Sequence, residues 1–159
     1  MDMTNLNFSN VYIVCFILPL LLASIHIWCS RSYVFAHRKI ELFLIYFIVF
    51  NVGVGGIIHG IWEMMFKEIP YYQLGMAQLA FGCLGFLALF NRGGGFWLAT
   101  GTGYSLYLFA NFIFDSVKMS ENNSYDWHTV GPEYYISFLV PLTICILFGL
   151  LKRELSKDV

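Results

Sequence analysis

Long apolar runs separated by short polar segments dominate the sequence. A helix of roughly 20 mainly apolar residues crosses a hydrocarbon core about 30 Å thick. Five stretches approach that length: Val11–Ser30, Ile40–Phe66, Leu74–Phe90, Phe96–Val117 and Tyr134–Leu151. None of them contains Lys or Arg, and none alternates apolar with polar residues as a membrane strand does. The pattern predicts an all-α, polytopic membrane protein with five transmembrane helices packed as a bundle, and residues 1–159 forming a single transmembrane helical domain.

The distribution of basic residues predicts the orientation of these helices. With the N-terminus outside, the cytoplasmic segments are 31–39, 91–95 and 152–159, and the outer loops contain two basic residues, Lys67 and Lys118. The cytoplasmic segments contain seven: Arg31, Arg38, Lys39, Arg92, Lys152, Arg153 and Lys157. Because Lys and Arg accumulate on the cytoplasmic side, we predict an external N-terminus, a cytoplasmic C-terminus and multi-pass insertion in the plasma membrane (the bacterial inner membrane).

The composition excludes several classes of protein. Hydrophobic residues make up 58% and charged residues 12% of the chain, whereas about 25% of the residues are charged in a typical soluble domain. A net charge of −1 provides no basic surface for nucleic acid. The four cysteines include no CxxC pair, so they predict neither a disulfide framework nor a thiolate metal site. Membrane lipids are the partners that this composition predicts.

Glycines and prolines indicate how the helices pack. Gly56 and Gly60 form a GxxxG pair, and such small residues let helix backbones approach closely in a membrane. This face fits packing within one chain and also fits a homo-oligomer, and we favour the first. Pro19 and Pro141 each remove a helical hydrogen bond, to the carbonyls of Cys15 and Ser137 respectively. Kinks with cavities beside them are therefore predicted at these two positions.

Ionisable residues inside a membrane are the most informative ones, because they are costly there and mark functional sites. His59 and Glu63 are four residues apart and share a helix face, as do Asn111 and Asp115. At 1.5 Å per residue, His59 and Asp115 both lie about 28 Å from the inner ends of their helices. We predict one partly buried polar site near the outer surface. Its candidate catalytic residues are His59 and Glu63, and its candidate ligand-binding residues are Asn51, Gln73, Gln78, Asn111 and Asp115.

Three chemistries suit this set of residues. His59, Glu63 and Asp115, with His128 as a fourth ligand, could hold a divalent metal, although no HxxxH or HExxH spacing supports it. The His–Glu pair could transfer protons on a lipid-soluble substrate, or the site could bind the polar head of a ligand. We predict a protein that binds a small apolar ligand, a lipid or a partner membrane subunit. The alternatives are a membrane-embedded isomerase or hydrolase and a structural oligomer packed through glycine faces; the cofactor and the metal stay undetermined.

The chain resembles an uncharacterised family of small bacterial integral membrane proteins, known as a domain of unknown function, over about residues 50–151. The resemblance rests on Gly56-x-x-His59, the glycine-rich run from Gln73 to Gly85, Gly95-Phe-Trp-Leu-Ala-Thr, and Gly131-Pro132 followed by Pro141. It implies Glu at the position of Gln73 and His at that of Asp115 in other members. These departures weaken a shared metal site, leave His59 in place, and imply no activity.

A fainter similarity connects the chain with the sterol isomerase-like membrane fold. It rests on the His-x-x-x-Glu spacing of His59 and Glu63 in the second helix. An acidic residue that belongs to that pattern in the following helix is missing here. The similarity implies acid–base chemistry on a lipid-soluble substrate, which is the enzymatic alternative given above.

Overall fold

The structure, a computed structural model, describes residues 9–30, 35–66, 69–91, 94–121 and 132–157. These residues are almost entirely helical, and the described part contains no strand, which confirms the predicted all-α class. The helices are α1 (Ser9–Cys29), α2 (Ala36–Phe47), a π-helical segment (Ile48–Val54), α3 (Gly55–Phe66), α4 (Ile69–Phe90), α5 (Gly94–Glu121) and α6 (Pro132–Leu155). His128, Arg31, Arg92 and Lys67, on which the predicted metal set and orientation partly rest, lie outside the described residues.

The helices α2 and α3 are joined through the π-helical segment into one continuous helix, here called the second rod. The backbone at both junctions is right-handed helical, at Ile48 and at Gly55. The Gly55 N–H donates to the carbonyl of Phe50, five residues earlier, which is the hydrogen-bond spacing of a π turn. Inside the segment, the Asn51 side-chain amide donates to the carbonyl of Phe47 at 3.1 Å. The Asn51 side chain therefore supplies a donor where the widened turn departs from the α pattern.

Four of the helices are long and apolar enough to cross a membrane, within the part of the chain that the structure describes. These four spans are Val11–Cys29, Ala36–Met65, Gln73–Phe90 and Tyr134–Leu155. The predicted stretch 96–117 is also helical, as part of α5, but its polar residues lower the hydropathy of that helix. Most helices extend beyond the predicted stretches, because an apolar run marks what hydrocarbon covers and polar turns can continue a helix outside it. The orientation and the single-domain organisation stay predictions.

The tightest packing joins the second rod to α4 through glycines. A side-chain carbon added at Gly56 would lie 2.7 Å from the Gln78 carbonyl oxygen and 2.9 Å from the Gly82 nitrogen. At Gly60 it would lie 2.7 Å from the Gly75 carbonyl oxygen. These distances leave no room for any side chain, so the backbones are in direct contact. The predicted Gly56–Gly60 face thus packs within the chain.

The core lies where the second rod, α4, α5 and α6 meet. Phe47, Val52 and Ile144 are almost fully buried in it, together with Trp97 at the start of α5. The Trp97 indole N–H donates to the carbonyl of Ala88 at 3.0 Å and so fixes the start of α5 to the end of α4. Large apolar side chains such as Trp28 and Phe90, 89% and 83% exposed, cover the outside, as is typical of helices that face lipid.

Candidate functional site

The histidine predicted from the sequence contacts a tyrosine of the first helix. The Tyr12 hydroxyl lies 2.7 Å from His59 Nδ1, and the two ring centroids are 3.9 Å apart. Either atom of this hydrogen bond can be the donor, depending on the imidazole tautomer. Both side chains are half-buried. The contact connects α1 to α3 between residues that are far apart in the sequence.

Beside this pair lies a small cavity, here called the polar cavity, of about 20 Å³. Three further polar side chains line it: Asn51 of the π-helical segment, Tyr104 of α5 and Ser137 of α6. Asn51, Tyr104 and Ser137 are all buried, with 4%, 7% and 7% exposure. The volume suits one water molecule or one oxygen-bearing group of a ligand. Polar groups from α1, the second rod, α5 and α6 therefore surround a space of atomic size.

Local sequence explains why the cavity exists. Gly55, which also lines it, lies one turn before His59, and an added side-chain carbon would meet only the Phe50 carbonyl oxygen, at 3.5 Å. The missing side chain thus leaves space next to the imidazole. Cys15 and Ser137 line the cavity as well, and each precedes a proline by four residues, so neither carbonyl has its usual helical donor. The polar cavity therefore lies beside the helix positions that Pro19 and Pro141 indicate in the sequence.

Glu63 lies on α3 one turn after His59, but its surroundings differ from those of His59. Its side chain is buried, with 3% exposure, and its Cβ lies 3.3 Å from the place where a Gly75 side chain would begin. The carboxylate is therefore carried on the surface of α3 that packs against α4. Glu63 does not line the polar cavity. His59 and Glu63 share a face by spacing, but the structure gives them different neighbours.

Gln78 connects to the cavity indirectly, through aromatic residues. Its side-chain amide donates to the Tyr107 hydroxyl at 3.0 Å. The Tyr107 ring stacks with that of Tyr104 at a centroid distance of 6.1 Å, and Tyr104 lines the cavity. Phe81 contacts both tyrosine rings, at 5.6 Å each. The Gln78 Oε1 atom is buried and has no hydrogen-bond partner among the described residues.

The remaining predicted site residues lie away from the cavity. Gln73 is exposed on α4, Asn111 is half-buried on α5, and Asp115 is exposed; none of them lines the polar cavity. The rise per residue placed His59 and Asp115 at one level in the membrane. The carboxylates of Glu63 and Asp115 nevertheless differ in burial, one buried and the other exposed, so they do not share a buried pocket. Their involvement in ligand binding stays a prediction. Within the described residues, no group of three His, Cys, Asp or Glu side chains could hold a metal ion.

Two residues of the site were missed from the sequence, Tyr12 and Tyr104. Each lies in an apolar helix, where a tyrosine is easily taken for part of the core or of the interfacial aromatic belt. Ser137 was singled out only through Pro141. A tyrosine within an apolar run is the available signal, because a hydroxyl inside hydrocarbon needs a partner.

A match to a protein family covers nearly the whole chain. No curated protein and no solved structure matches it, and the similarity to the sterol isomerase-like fold, like a bacterial origin, stays a prediction. Residues 9–157 match a family described as "Family of unknown function (DUF6790)". This confirms the resemblance to an uncharacterised family and extends it to the first helix, which carries Tyr12. The chain therefore belongs to this family of unknown function, DUF6790.

Proposed function

We propose that this protein is an integral membrane protein that binds a small lipid-soluble ligand by its polar head. The head, a hydroxyl or a carbonyl group, would occupy the polar cavity. The observation that carries the proposal is the hydrogen bond of 2.7 Å between Tyr12 and His59 at the wall of a space that three other polar side chains also line. Ionisable and polar residues gathered inside apolar helices mark functional sites in membrane proteins.

The chemistry of the lining fits a neutral oxygen-bearing head. Imidazole and tyrosine hydroxyl groups can each donate or accept a hydrogen bond, and the Asn51 amide offers both kinds of atom. The rest of the lining is apolar, including Val11, Leu108 and Val140. The described lining contains no Lys or Arg to balance an anionic head and no Asp or Glu to balance a cationic one. We therefore infer that the ligand is uncharged where it enters the cavity.

The membrane and the orientation belong to the same proposal. Four apolar helices support insertion in a membrane, and the excess of basic residues in the predicted cytoplasmic segments supports an external N-terminus in a plasma membrane. Tyr12 lies near the start of α1, so the polar cavity would face the outer side of the bilayer. A ligand would then reach it from the outer leaflet.

An acid–base enzyme that uses His59 and Glu63 is the second candidate. The Tyr12–His59 hydrogen bond favours this candidate only in giving the imidazole a neighbour that can donate or accept a proton. The position of Glu63 favours binding instead, since its side chain packs toward α4 and does not line the cavity. The predicted structural oligomer would need glycine faces that already pack within the chain. Binding is therefore the function that the geometry supports best.

The experiment compares two glycine-to-leucine substitutions, one that fills the polar cavity and one that extends into open space. Wild type, Gly55→Leu and Gly149→Leu are purified in detergent, incubated with the total lipid extract of the host membrane and analysed by native mass spectrometry. Gly55 lines the cavity, whereas a side chain at Gly149 meets nothing within 4 Å. We expect wild type and Gly149→Leu to retain a molecule of one defined mass, and Gly55→Leu to lose it.

Two outcomes would contradict the proposal. One is wild-type protein that repeatedly carries no retained molecule. The other is retention that is equal in Gly55→Leu and in wild type, with circular dichroism showing that both are folded. Tyr12→Phe gives an independent check, because it removes one hydroxyl without adding volume and should weaken retention.

A further inference from the structure

A second cavity, separate from the polar cavity, opens between α5 and α6. This groove, here called the α5–α6 groove, has a volume of about 330 Å³, at the lower end of the range of small-molecule sites. Leu106 and Phe109 line it from α5, and Phe138, Leu142 and Cys145 line it from α6. Its residues alternate with those of the polar cavity along both helices. The two cavities therefore lie on different sides of the α5–α6 contact.

Both ends of the groove are closed by direct contacts between the two helices. At one end, a side-chain carbon at Gly101 would lie 3.1 Å from the ring of Phe148, so α5 and α6 are close together there. At the other end, the rings of Phe112 and Phe138 are 5.3 Å apart, and the hydroxyls of Ser116 and Tyr134 lie 2.9 Å from each other. The groove has a limited length and is not simply a continuous seam along the helix pair.

One polar atom in this groove lacks a partner. Ser105 lines the groove, is 7% exposed, and its hydroxyl has no hydrogen-bond partner among the described residues. Other serines in the helices behave differently: Ser24 and Ser116 each donate to the carbonyl four residues earlier, at 2.7 Å. A hydroxyl inside an apolar region gains from any donor or acceptor that comes within reach. The Ser105 oxygen is covered by its surroundings, and rotation about the Cα–Cβ bond of this lining residue would bring it within reach of an oxygen of a molecule in the groove.

We propose that the α5–α6 groove binds an elongated, lipid-soluble molecule that carries one hydroxyl or carbonyl oxygen, and that this oxygen hydrogen-bonds to Ser105. The apolar lining fits a hydrocarbon body. Leu106 and Leu142 of this lining are 66% and 43% exposed, and α6 belongs to one of the apolar spans, so the groove opens to the outside of the bundle, where lipid would lie. Ser105 lies near the middle of α5, which places the oxygen of the molecule deep in the bilayer. Ordinary phospholipids carry their ester oxygens near the surface, so they do not meet this requirement.

The test uses a photoreactive alcohol, an octanol that carries a diazirine group, on the full-length protein in detergent. After irradiation, the labelled peptides are mapped by mass spectrometry, and dodecan-1-ol and dodecane are added as competitors. We expect adducts on the α5 and α6 residues of the groove. Dodecan-1-ol should compete at concentrations about fivefold lower than dodecane does, because one hydrogen bond contributes about 1 kcal/mol.

Matched variants assign the label to the groove. Leu142→Trp fills the groove and should remove the adducts. Leu139→Trp places the same side chain on α6 outside the groove lining, at a position of nearly equal exposure (39% against 43% for Leu142), and should leave the adducts in place. Ser105→Ala should make competition by dodecan-1-ol about fivefold weaker without changing competition by dodecane.

Each of the opposite outcomes overturns the proposal. Label spread evenly over all lipid-facing helices, or groove label that persists in Leu142→Trp, shows that the groove holds no specific site. Equal competition by dodecane and dodecan-1-ol shows that plain hydrocarbon chains fill it. Adducts near Tyr12 and His59 that Gly55→Leu removes would report on the polar cavity instead, so the two proposals fail separately.

Discussion

Two helix pairs in this molecule pack in opposite ways. Between α3 and α4, backbone touches backbone, and a side-chain carbon at Gly56 would lie 2.7 Å from a carbonyl oxygen. Between α5 and α6, side chains fill the contact, and the same carbon at Gly101 would meet the end of the Phe148 ring at 3.1 Å. Glycine occurs in both pairs. The tightness of each interface therefore depends on whether backbone or side-chain atoms face the glycine.

The difference explains where cavities form. Both the polar cavity and the α5–α6 groove are lined by α5 and α6, the pair held by bulky side chains. Large rings meet at points and leave space between them, whereas two glycine-bearing backbones fit along their length. Binding is therefore proposed at the loosely packed half of the molecule, and the α3–α4 pair supplies a rigid support for His59.

The largest effect is expected from Gly56→Ala, which breaks the tight pair. The added methyl has no space against backbone atoms, so the helices must separate, and the free energy of unfolding should fall by about 3 kcal/mol. Titration with sodium dodecyl sulfate in mixed micelles, followed by circular dichroism, measures it. Gly149→Ala is the control, because its methyl meets nothing within 4 Å and should stabilise the helix by about 0.5–1 kcal/mol. Equal effects of the two substitutions would contradict the comparison.

A smaller effect is expected from Asn51→Leu, which acts on the π-helical segment beside α4. The substitution keeps the side-chain size and removes the donor to the Phe47 carbonyl. The π pattern still gives the Phe47 carbonyl a backbone donor, so only the side-chain bond is lost. One such hydrogen bond contributes about 0.5–1.5 kcal/mol, and stability in the same titration should fall by about that amount. Asn51→Gln, which keeps an amide, serves as the reference. If Asn51→Leu is as stable as wild type, the side chain does not support the widened turn.

Much of the fold was predictable from the sequence, because its causes are local. Apolar runs predict the helices, and Gly56 with Gly60 predicts a close helix contact. Pro19 and Pro141 predict a cavity beside their helices. His59 was identified as an ionisable residue inside an apolar helix. All these inferences need only residue type and spacing along one helix.

The rest depends on rotation about the helix axes and on contacts distant in sequence. Spacing gives the depth of Asp115, but not the direction in which its side chain points. The π-helical segment widens one turn and rotates the residues after it relative to an ideal α-helix, so the face shared by Asn51 and His59 could not be deduced from a period of 3.6. Tyr12 reaches His59 only because α1 packs against the second rod.

The smallest effect is expected from Gly101→Ala, which tests whether the α5–α6 contact can accept a methyl group that the α3–α4 contact cannot. The added methyl would lie 3.1 Å from the Phe148 ring and 3.4 Å from Ile144, and both neighbours are ends of side chains. These can move by a few tenths of an ångström, whereas the backbone facing Gly56 cannot. The gain in helix propensity of about 0.5–1 kcal/mol offsets this small strain, so the unfolding free energy should stay within about 1 kcal/mol of wild type. The same titration measures it beside Gly56→Ala; a loss as large as that of Gly56→Ala would mean that α5 and α6 are packed as rigidly as α3 and α4, and that the spaces beside them are too constrained to admit a ligand.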